Sequence, residues 1–394
     1  MQVSRLRQSL LKNTVRVLVA ALLAYFLVAS LPSLRRNVSK RDSIAYWSAA
    51  HLLLHGEDPY NTDVVFDLEQ TQGYRDPKPL VLRTPPWSLF MVLPLGAMSA
   101  FWAWVTWVAV SLVAFVGAMH LCWKLYRNAA ETPRFFWLIG YLFAPVPACL
   151  VSGQMGLVLL LGVVLFLWLE PQHPYLAGAA LLLPFAKPHL LILFWLILAL
   201  WILSRKRWPV LIGLASALVL VTAIALVFRP AIFLNYCEML NRAAIGSEFI
   251  PALSGVLRLL FFHRLFWVQF IPMALAVAWS LWFYSRHRAR WNWRRHGLPL
   301  LVVSILTTPY AWITDEVILI PAILQAALWI DAARNRITWR SKLAMLVFAA
   351  LNALLLLILW FKIPFSTGIY FWSSLVWFGW YCYGSGFVEE PTPE

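Results

Sequence analysis

Apolar runs long enough to cross a bilayer recur along almost the whole of this 394-residue chain, and no other feature constrains its fold as strongly. About 20 residues rising 1.5 Å each cover the hydrocarbon core as a helix. Backbone polar groups inside that core need internal partners, which a helix supplies. The runs fall at roughly 15–34, 100–123, 135–151, 154–170, 174–186, 188–203, 208–229, 265–284, 297–313, 315–331, 342–361 and 367–383. The chain is 62% apolar and only 12% charged, whereas soluble domains carry about a quarter charged residues. The expectation is an all-α polytopic membrane protein of about 10–12 spans. It forms one integral domain over residues 1–394, with no separate soluble module.

Charge sets the expected topology. Arg5, Arg7, Lys12 and Arg16 precede the first run, and Pro32 and Arg35-Arg36 follow it where a signal peptide would have small residues. The run therefore reads as an uncleaved first helix. With a cytoplasmic N-terminus, alternation places 19 of the 32 basic residues in short segments on one side, including Lys124, Arg205 to Arg207, Arg286 to Arg295 and Arg340. That is the positive-inside pattern. It implies a multi-pass protein of the cell membrane with both termini cytoplasmic. A first extracytoplasmic loop covers 35–99, and a second covers 230–264 with Arg242, Glu248, Arg258 and Arg264. The run from Pro85 to Met98 is short for a span; counting it as one would reverse the parity, so it is expected to lie along or dip into the outer face. The net charge of +15 is explained by topology and anionic headgroups, so no nucleic-acid partner is expected. The four cysteines have neither paired nor metal-type spacing, and no metal site, P-loop or dinucleotide fingerprint is present.

Five of the seven aspartates, Asp42, Asp58, Asp63, Asp67 and Asp76, fall in the first outer loop. So many carboxylates beside a membrane point to binding or chemistry. Arg41-Asp42 opens a short amphipathic helix through Tyr46 to Ala50, where Asp42 serves as an N-cap, as a base or as both. Gly56-Glu57-Asp58-Pro59-Tyr60-Asn61 is a turn; Asp58 and Tyr60 are structural there or line the site. Asp63, Asp67 and Asp76 read as solvated surface. Arg83, before Thr84-Pro85-Pro86, is either a phosphate clamp or an interfacial anchor. Three further motifs share the outer face on this topology: Ser152-Gly153-Gln154, Ala186-Lys187-Pro188-His189 and Pro309 to Glu316. Lys187 and His189 snorkel to water or act at membrane depth. Asp315 and Glu316 hold sugar hydroxyls or begin a helix as N-terminal acids.

Asp42 with Tyr46-Trp47 and Ala49, Gly56 to Tyr60, Thr84-Pro85-Pro86 and Leu93-Pro94-Leu95 follow one another along the chain. Gly153-Gln154, Ala177-Gly178, Lys187-Pro188 and Pro309-Tyr310-Ala311-Trp312 continue the order. This set, over about 42–320, resembles glycosyltransferase family 87, which includes polyprenol-phosphate-mannose-dependent mannosyltransferases of the GT-C fold class. The resemblance implies short juxtamembrane helices at about 43–54 and 85–98 and an extracytoplasmic active site with Asp42 as catalytic base. The donor would be a polyprenyl-phosphate sugar, with no other cofactor, and the acceptor a lipid or glycan. Lys187, His189, Arg83 and Arg41 are the candidates for the donor phosphate. Tyr46, Asp58, Tyr60, Gln154, Tyr310 and Asp315 are those for sugar or acceptor. One departure is Ile313-Thr314-Asp315-Glu316, where relatives often have an aromatic and a His or Asp. The rival class is a transporter or flippase of a lipid-linked sugar. Transporters show repeats and midplane polar groups, whereas the ionisable residues here gather at one face.

Overall fold

The computed structural model describes residues 42–126, 136–243, 250–262, 265–332, 338–365 and 367–386. The expected first span at 15–34, Arg41, Glu248 and Arg264 lie outside the described residues. Among the described residues every regular element is helical. The helices are α1 Ser43–Leu54, α2 Thr62–Thr71, α3 Ala100–Tyr126, α4 Phe136–Tyr141, α5 Pro145–Ser152, α6 Gly156–Leu169, α7 Pro174–Ala180 and α8 Ile192–Arg205. They continue as α9 Trp208–Phe228, α10 Ile232–Arg242, α11 Leu253–Phe261, α12 Ile271–His287, α13 Trp293–Thr307, α14 Ile320–Ala332, α15 Thr338–Trp360 and α16 Ser373–Ser385.

Among the described residues six stretches are long and apolar enough to cross a membrane: Ala100–Tyr126, Pro188–Arg205, Trp208–Phe228, Phe266–Arg290, Ile313–Ala332 and Trp339–Trp360. Val113, Val219, Val227, Leu346 and Trp360 on them are 66% to 81% exposed. Apolar surface on that scale requires an apolar solvent, so the chain is a multi-pass membrane protein. The apolar window of Ile313–Ala332 is 89% buried and forms the centre, while that of Trp208–Phe228 is 22% buried and lies outside.

Several expected spans are shorter or broken. The run at 135–151 is two helices, α4 and α5, rather than one. Pro145 and Pro147 cannot donate backbone hydrogen bonds. The Ala144 N–H freed at the break donates instead to Asn352 Oδ1 of α15 at 2.7 Å. Three long spans begin with 3-10 turns, at Pro188–Leu191, Phe266–Phe270 and Ile313–Leu319.

In the described part of the first loop the two expected short helical segments form, and the middle differs. α1 covers the predicted 43–54, and 86–97 forms two 3-10 turns, Pro86–Met91 and Leu93–Ala97. α1 is not amphipathic, because ten of its twelve residues are buried. The second 3-10 turn lies directly on it: a Cβ at Gly96 would sit 2.4 Å from the Ala50 carbonyl, so only glycine permits the approach. Trp47 Nε1 donates to the Met98 carbonyl at 2.9 Å across the same contact. α2, a helix not anticipated, is capped by Asn61, whose side chain accepts from the N–H groups of Asp63 and Val64.

α2 buries Glu69, whose Oε2 accepts from the Leu80 N–H at 3.0 Å. Burial pushes its carboxyl from 4.5 up to about 7, partly offset by that hydrogen bond. The folded loop thus keeps a proton that the unfolded chain releases near 4.5, so its stability declines as pH rises from about 4.5 to 7. Glu69→Gln should raise the melting temperature at pH 8 and change it little near pH 4.5. Thermal unfolding at both pH values checks this, and parallel curves for the two proteins would refute it.

Lys124, Arg205 and Arg294 lie at one end of the bundle. Arg205 donates to the carbonyls of Arg288 and Ala289, and Arg294 Nε to the Leu167 carbonyl. The Lys124 ammonium lies 5.6 Å from the Trp168 ring centre. Each of these contacts sits where α3, α6 or α8 ends. The opposite ends of α6 and α8 carry Gln154 and Lys187.

Candidate functional site

The loop before α6 is shaped by one residue. Gly153 ends α5 in the left-handed region, with φ +76°. The N–H groups of Gly153 and Gln154 both donate back to the Cys149 carbonyl, closing the helix in the usual glycine-ended way. A Cβ at Gly153 would lie 2.8 Å from Ser43 Cβ, so the turn and the start of α1 fit only without a side chain there. The last carbonyls of α5 find partners outside the helix. Ser152 accepts from the Asp42 N–H at 3.0 Å, and Gly153 from Trp107 Nε1 at 2.7 Å. Asp42 is thereby pinned beside Gln154, 112 residues away in sequence.

Asp42 occupies the N-cap position of α1, yet its side chain makes no capping bond. Its Oδ2 instead accepts from Gln154 Nε2 at 2.8 Å. Gln154 Oε1 accepts from Tyr46 OH at 3.1 Å and from Lys187 Nζ at 3.2 Å. A carboxylate only accepts and an ammonium only donates, which fixes the orientation of the amide between them. A primary amide is the side-chain group that bridges an acid and a base in this way while remaining neutral. Tyr46 is held edge-on to Trp107, with ring centres 5.2 Å apart.

Lys187 joins this group from a turn between the 3-10 segments Pro184–Ala186 and Pro188–Leu191. The turn leaves carbonyls without helical partners, and side chains from three directions satisfy them. Trp87 Nε1 donates to Phe185 O at 3.0 Å, Trp195 Nε1 to Pro188 O at 3.1 Å, and Thr308 Oγ1 to His189 O at 2.8 Å. Irregular backbone at membrane depth persists where protein groups complete its hydrogen bonds. Lys187 Nζ then reaches Asp315 Oδ1 at 2.8 Å. Asp315 also takes the helix-start role: its Oδ2 accepts from the Trp312 N–H at 3.1 Å, capping the 3-10 turn Ile313–Leu319.

The electrostatics follow from burial and pairing. Burial raises the Asp42 pKa above the ordinary carboxylate value, moderated by the Gln154 hydrogen bond and the Lys187 charge. Burial alone would lower the Lys187 pKa, but the Asp315 carboxylate outweighs it and the value is raised. Lys187 therefore stays a cation with one N–H beyond those given to Gln154 and Asp315. Such a site can take a proton at Asp42 and hold an anion at Lys187. Among the described residues no cluster of three His, Cys, Asp or Glu side chains is placed to hold a metal ion.

The other sequence candidates divide around this core. His189 follows Lys187, with its ring 5.7 Å from Tyr310 in edge geometry. Its Nε2 is buried without a hydrogen-bond partner among the described residues. Tyr310 is close enough to contribute to the charge environment of Lys187. Asp58 and Tyr60 are engaged in loop structure: Asp58 accepts from the Tyr60 N–H, and the buried Tyr60 hydroxyl donates to Thr84 O at 2.9 Å. Arg83 is exposed beside Thr84. Arg41 lies outside the described residues. Glu316 takes the structural role, accepting from Ser373 Oγ and from Trp377 Nε1 at 2.9 Å to anchor α16.

Two contributors escaped sequence reasoning. Trp107 is one of 23 tryptophans with nothing local to distinguish it. Cys149 reads as a small core residue, and its thiol donates to the Gln154 carbonyl at 3.2 Å.

Comparison with curated proteins and with solved structures finds no match. A family model matches residues 84–309, more than half of the chain, and this stretch contains Gln154, Lys187 and His189 while leaving Asp42 and Asp315 outside. With that match covering more than half of the chain and the turns that carry Gln154 and Lys187, the chain belongs to glycosyltransferase family 87.

Proposed function

We propose that this membrane glycosyltransferase moves a hexose, mannose by family resemblance, from a polyprenyl-phosphate-linked donor to a lipid or glycan acceptor. The reaction takes place on the extracytoplasmic face of the cell membrane, in a fold of the GT-C type. The observation that carries the reading is one buried amide, Gln154, holding an acid and an ammonium in a single cluster. The basic loops at the far end of the helices support the side assignment, since positive loops stay cytoplasmic.

The chemistry follows from these groups. An acceptor hydroxyl gives its proton to the Asp42 carboxylate as its oxygen bonds to the anomeric carbon. The bond from that carbon to the phosphate oxygen breaks with its electron pair, releasing polyprenyl phosphate. Phosphate is a good leaving group, so cationic stabilisation replaces a general acid. The remaining N–H of Lys187 supplies it in a low-dielectric setting, with His189, Arg83 and Arg41 as further phosphate contacts. Tyr46, Gln154, Tyr310 and Asp315 are the proposed contacts to sugar or acceptor; Asp58 and Tyr60 support the loop around them. Attack opposite the leaving group inverts the anomeric configuration.

Transfer from a short-chain polyprenyl-phosphate hexose by purified, lipid-reconstituted protein tests this reading, with the product's anomeric configuration read by NMR. Retention of configuration would overturn direct displacement. Movement of the lipid-linked sugar across vesicles without transfer would instead identify a flippase.

The acid limb of the rate profile provides a separate check. Transfer should fall as pH drops through the raised Asp42 pKa, because the protonated acid cannot accept a proton. Gln154→Leu removes a hydrogen bond that stabilises the carboxylate, so the limb should move to higher pH. An unmoved limb in a variant with measurable transfer would remove Asp42 from the base role.

A further inference from the structure

A cavity of about 1160 Å³ lies between α12, α13, α14 and α16, and none of its lining residues belongs to the cluster around Gln154. It begins at Pro272, near the start of α12, and follows that helix to Arg286 and His287 near its end. Fourteen residues of helix at 1.5 Å each give it a length of about 21 Å. One leaflet's hydrocarbon is about half of the ~30 Å core, so the groove is long enough to take an acyl chain from a single leaflet. Its walls suit one. Leu275 is 68% exposed, and Trp279, Phe283, Val303, Leu306 and Phe378 complete an apolar surface.

The far end changes character. Arg286, Arg290 and Arg295 line it with His287 and His296, and no aspartate or glutamate is among the lining residues. All three arginines are exposed. Arg286 stacks on Trp282, with its guanidinium carbon 5.6 Å from the ring centre. The rings of His287 and His296 are 5.1 Å apart. Arginines with no acid among the residues lining the groove fit an amphiphile with an anionic head, and basic pockets between spans bind such headgroups. Guanidinium forks also match phosphate oxygens geometrically.

We propose that this groove binds an anionic glycerophospholipid of the surrounding bilayer, from the leaflet opposite the catalytic cluster. One acyl chain lies along α12, and the phosphate sits among Arg286, Arg290 and Arg295. The site is separate from the donor site and does not depend on the role given to Asp42.

Native mass spectrometry of the delipidated full-length protein tests this by titrating phosphatidylglycerol against phosphatidylcholine of the same chains. Three arginines beside one phosphate should favour phosphatidylglycerol by roughly 10- to 100-fold. The variant Arg286→Gln/Arg290→Gln/Arg295→Gln should lose that preference and still bind phosphatidylcholine. Filling the groove with Val303→Trp should weaken both lipids together. Equal binding of the two lipids by the unaltered protein, which requires no variant to fold, would overturn the proposal. So would a preference that survives the triple substitution. Displacement of bound phosphatidylglycerol by a lower concentration of polyprenyl phosphate would overturn the assignment to bulk phospholipid.

Discussion

Asp42→Asn is expected to lower sugar transfer by about 10²- to 10⁴-fold, the usual contribution of a positioned base, while leaving the protein folded. Asparagine keeps the shape of the side chain, and its carbonyl oxygen can still accept from Gln154 Nε2, which lies 2.8 Å from Asp42 Oδ2. It cannot take up the acceptor's proton. Burial already favours the neutral form of Asp42, so the asparagine protein should melt at the same temperature or higher. A parallel loss of activity and melting temperature would point to a structural role. Undiminished transfer would require another base.

The second large effect concerns Lys187. Its partner Asp315 is 1% exposed, so Lys187→Met strands a carboxylate in the interior. Removing one member of a buried pair costs about 3–5 kcal/mol, and the single variant should be strongly destabilised. Lys187→Met/Asp315→Asn removes both charges, and asparagine can still accept from the Trp312 N–H that now bonds Asp315 Oδ2. The double variant should recover most of the lost stability while remaining unable to bind a short polyprenyl phosphate or transfer sugar. That split separates the two roles of Lys187, since a purely structural lysine would leave the double variant as active as Asp315→Asn alone. Thermal unfolding and donor binding measured on all four proteins of the cycle give the comparison.

How much of the cluster could be read in advance differs from residue to residue. The sequence marks Lys187 as unusual because a charge between two apolar runs needs a reason to be there. It marks Asp42 only as the first of several acids in one loop, and the N-cap reading was equally compatible with its position. That its carboxylate bonds Gln154 instead of capping the helix depends on where Gln154 lies, and no local rule connects positions 112 apart. Asp58 and Tyr60 share the same loop and the same family resemblance, yet a turn contact and the Thr84 carbonyl engage them elsewhere. α2 was legible in principle, since Asn61-Thr62-Asp63 is a helix-start signal, but the acids after it read as loose surface. The apolar run at 135–151 concealed its break because hydropathy registers side chains and is insensitive to missing N–H groups. Pro145 and Pro147 were the available clue.

From sequence alone one can read the solvent of this chain, its helical class, the placement of its basic loops and its resemblance to a glycosyltransferase family. The first three follow from composition and from the order of apolar and basic segments, which are local, and the resemblance rests on the order of short motifs. Only the tertiary structure selected Gln154 as the bridge, gave Asp315 two partners, turned Glu316 toward α16 and opened a groove beside α12. Those outcomes depend on which helix ends meet, and they are settled by close approaches such as Gly153 against Ser43 and by polar groups that must find partners away from water.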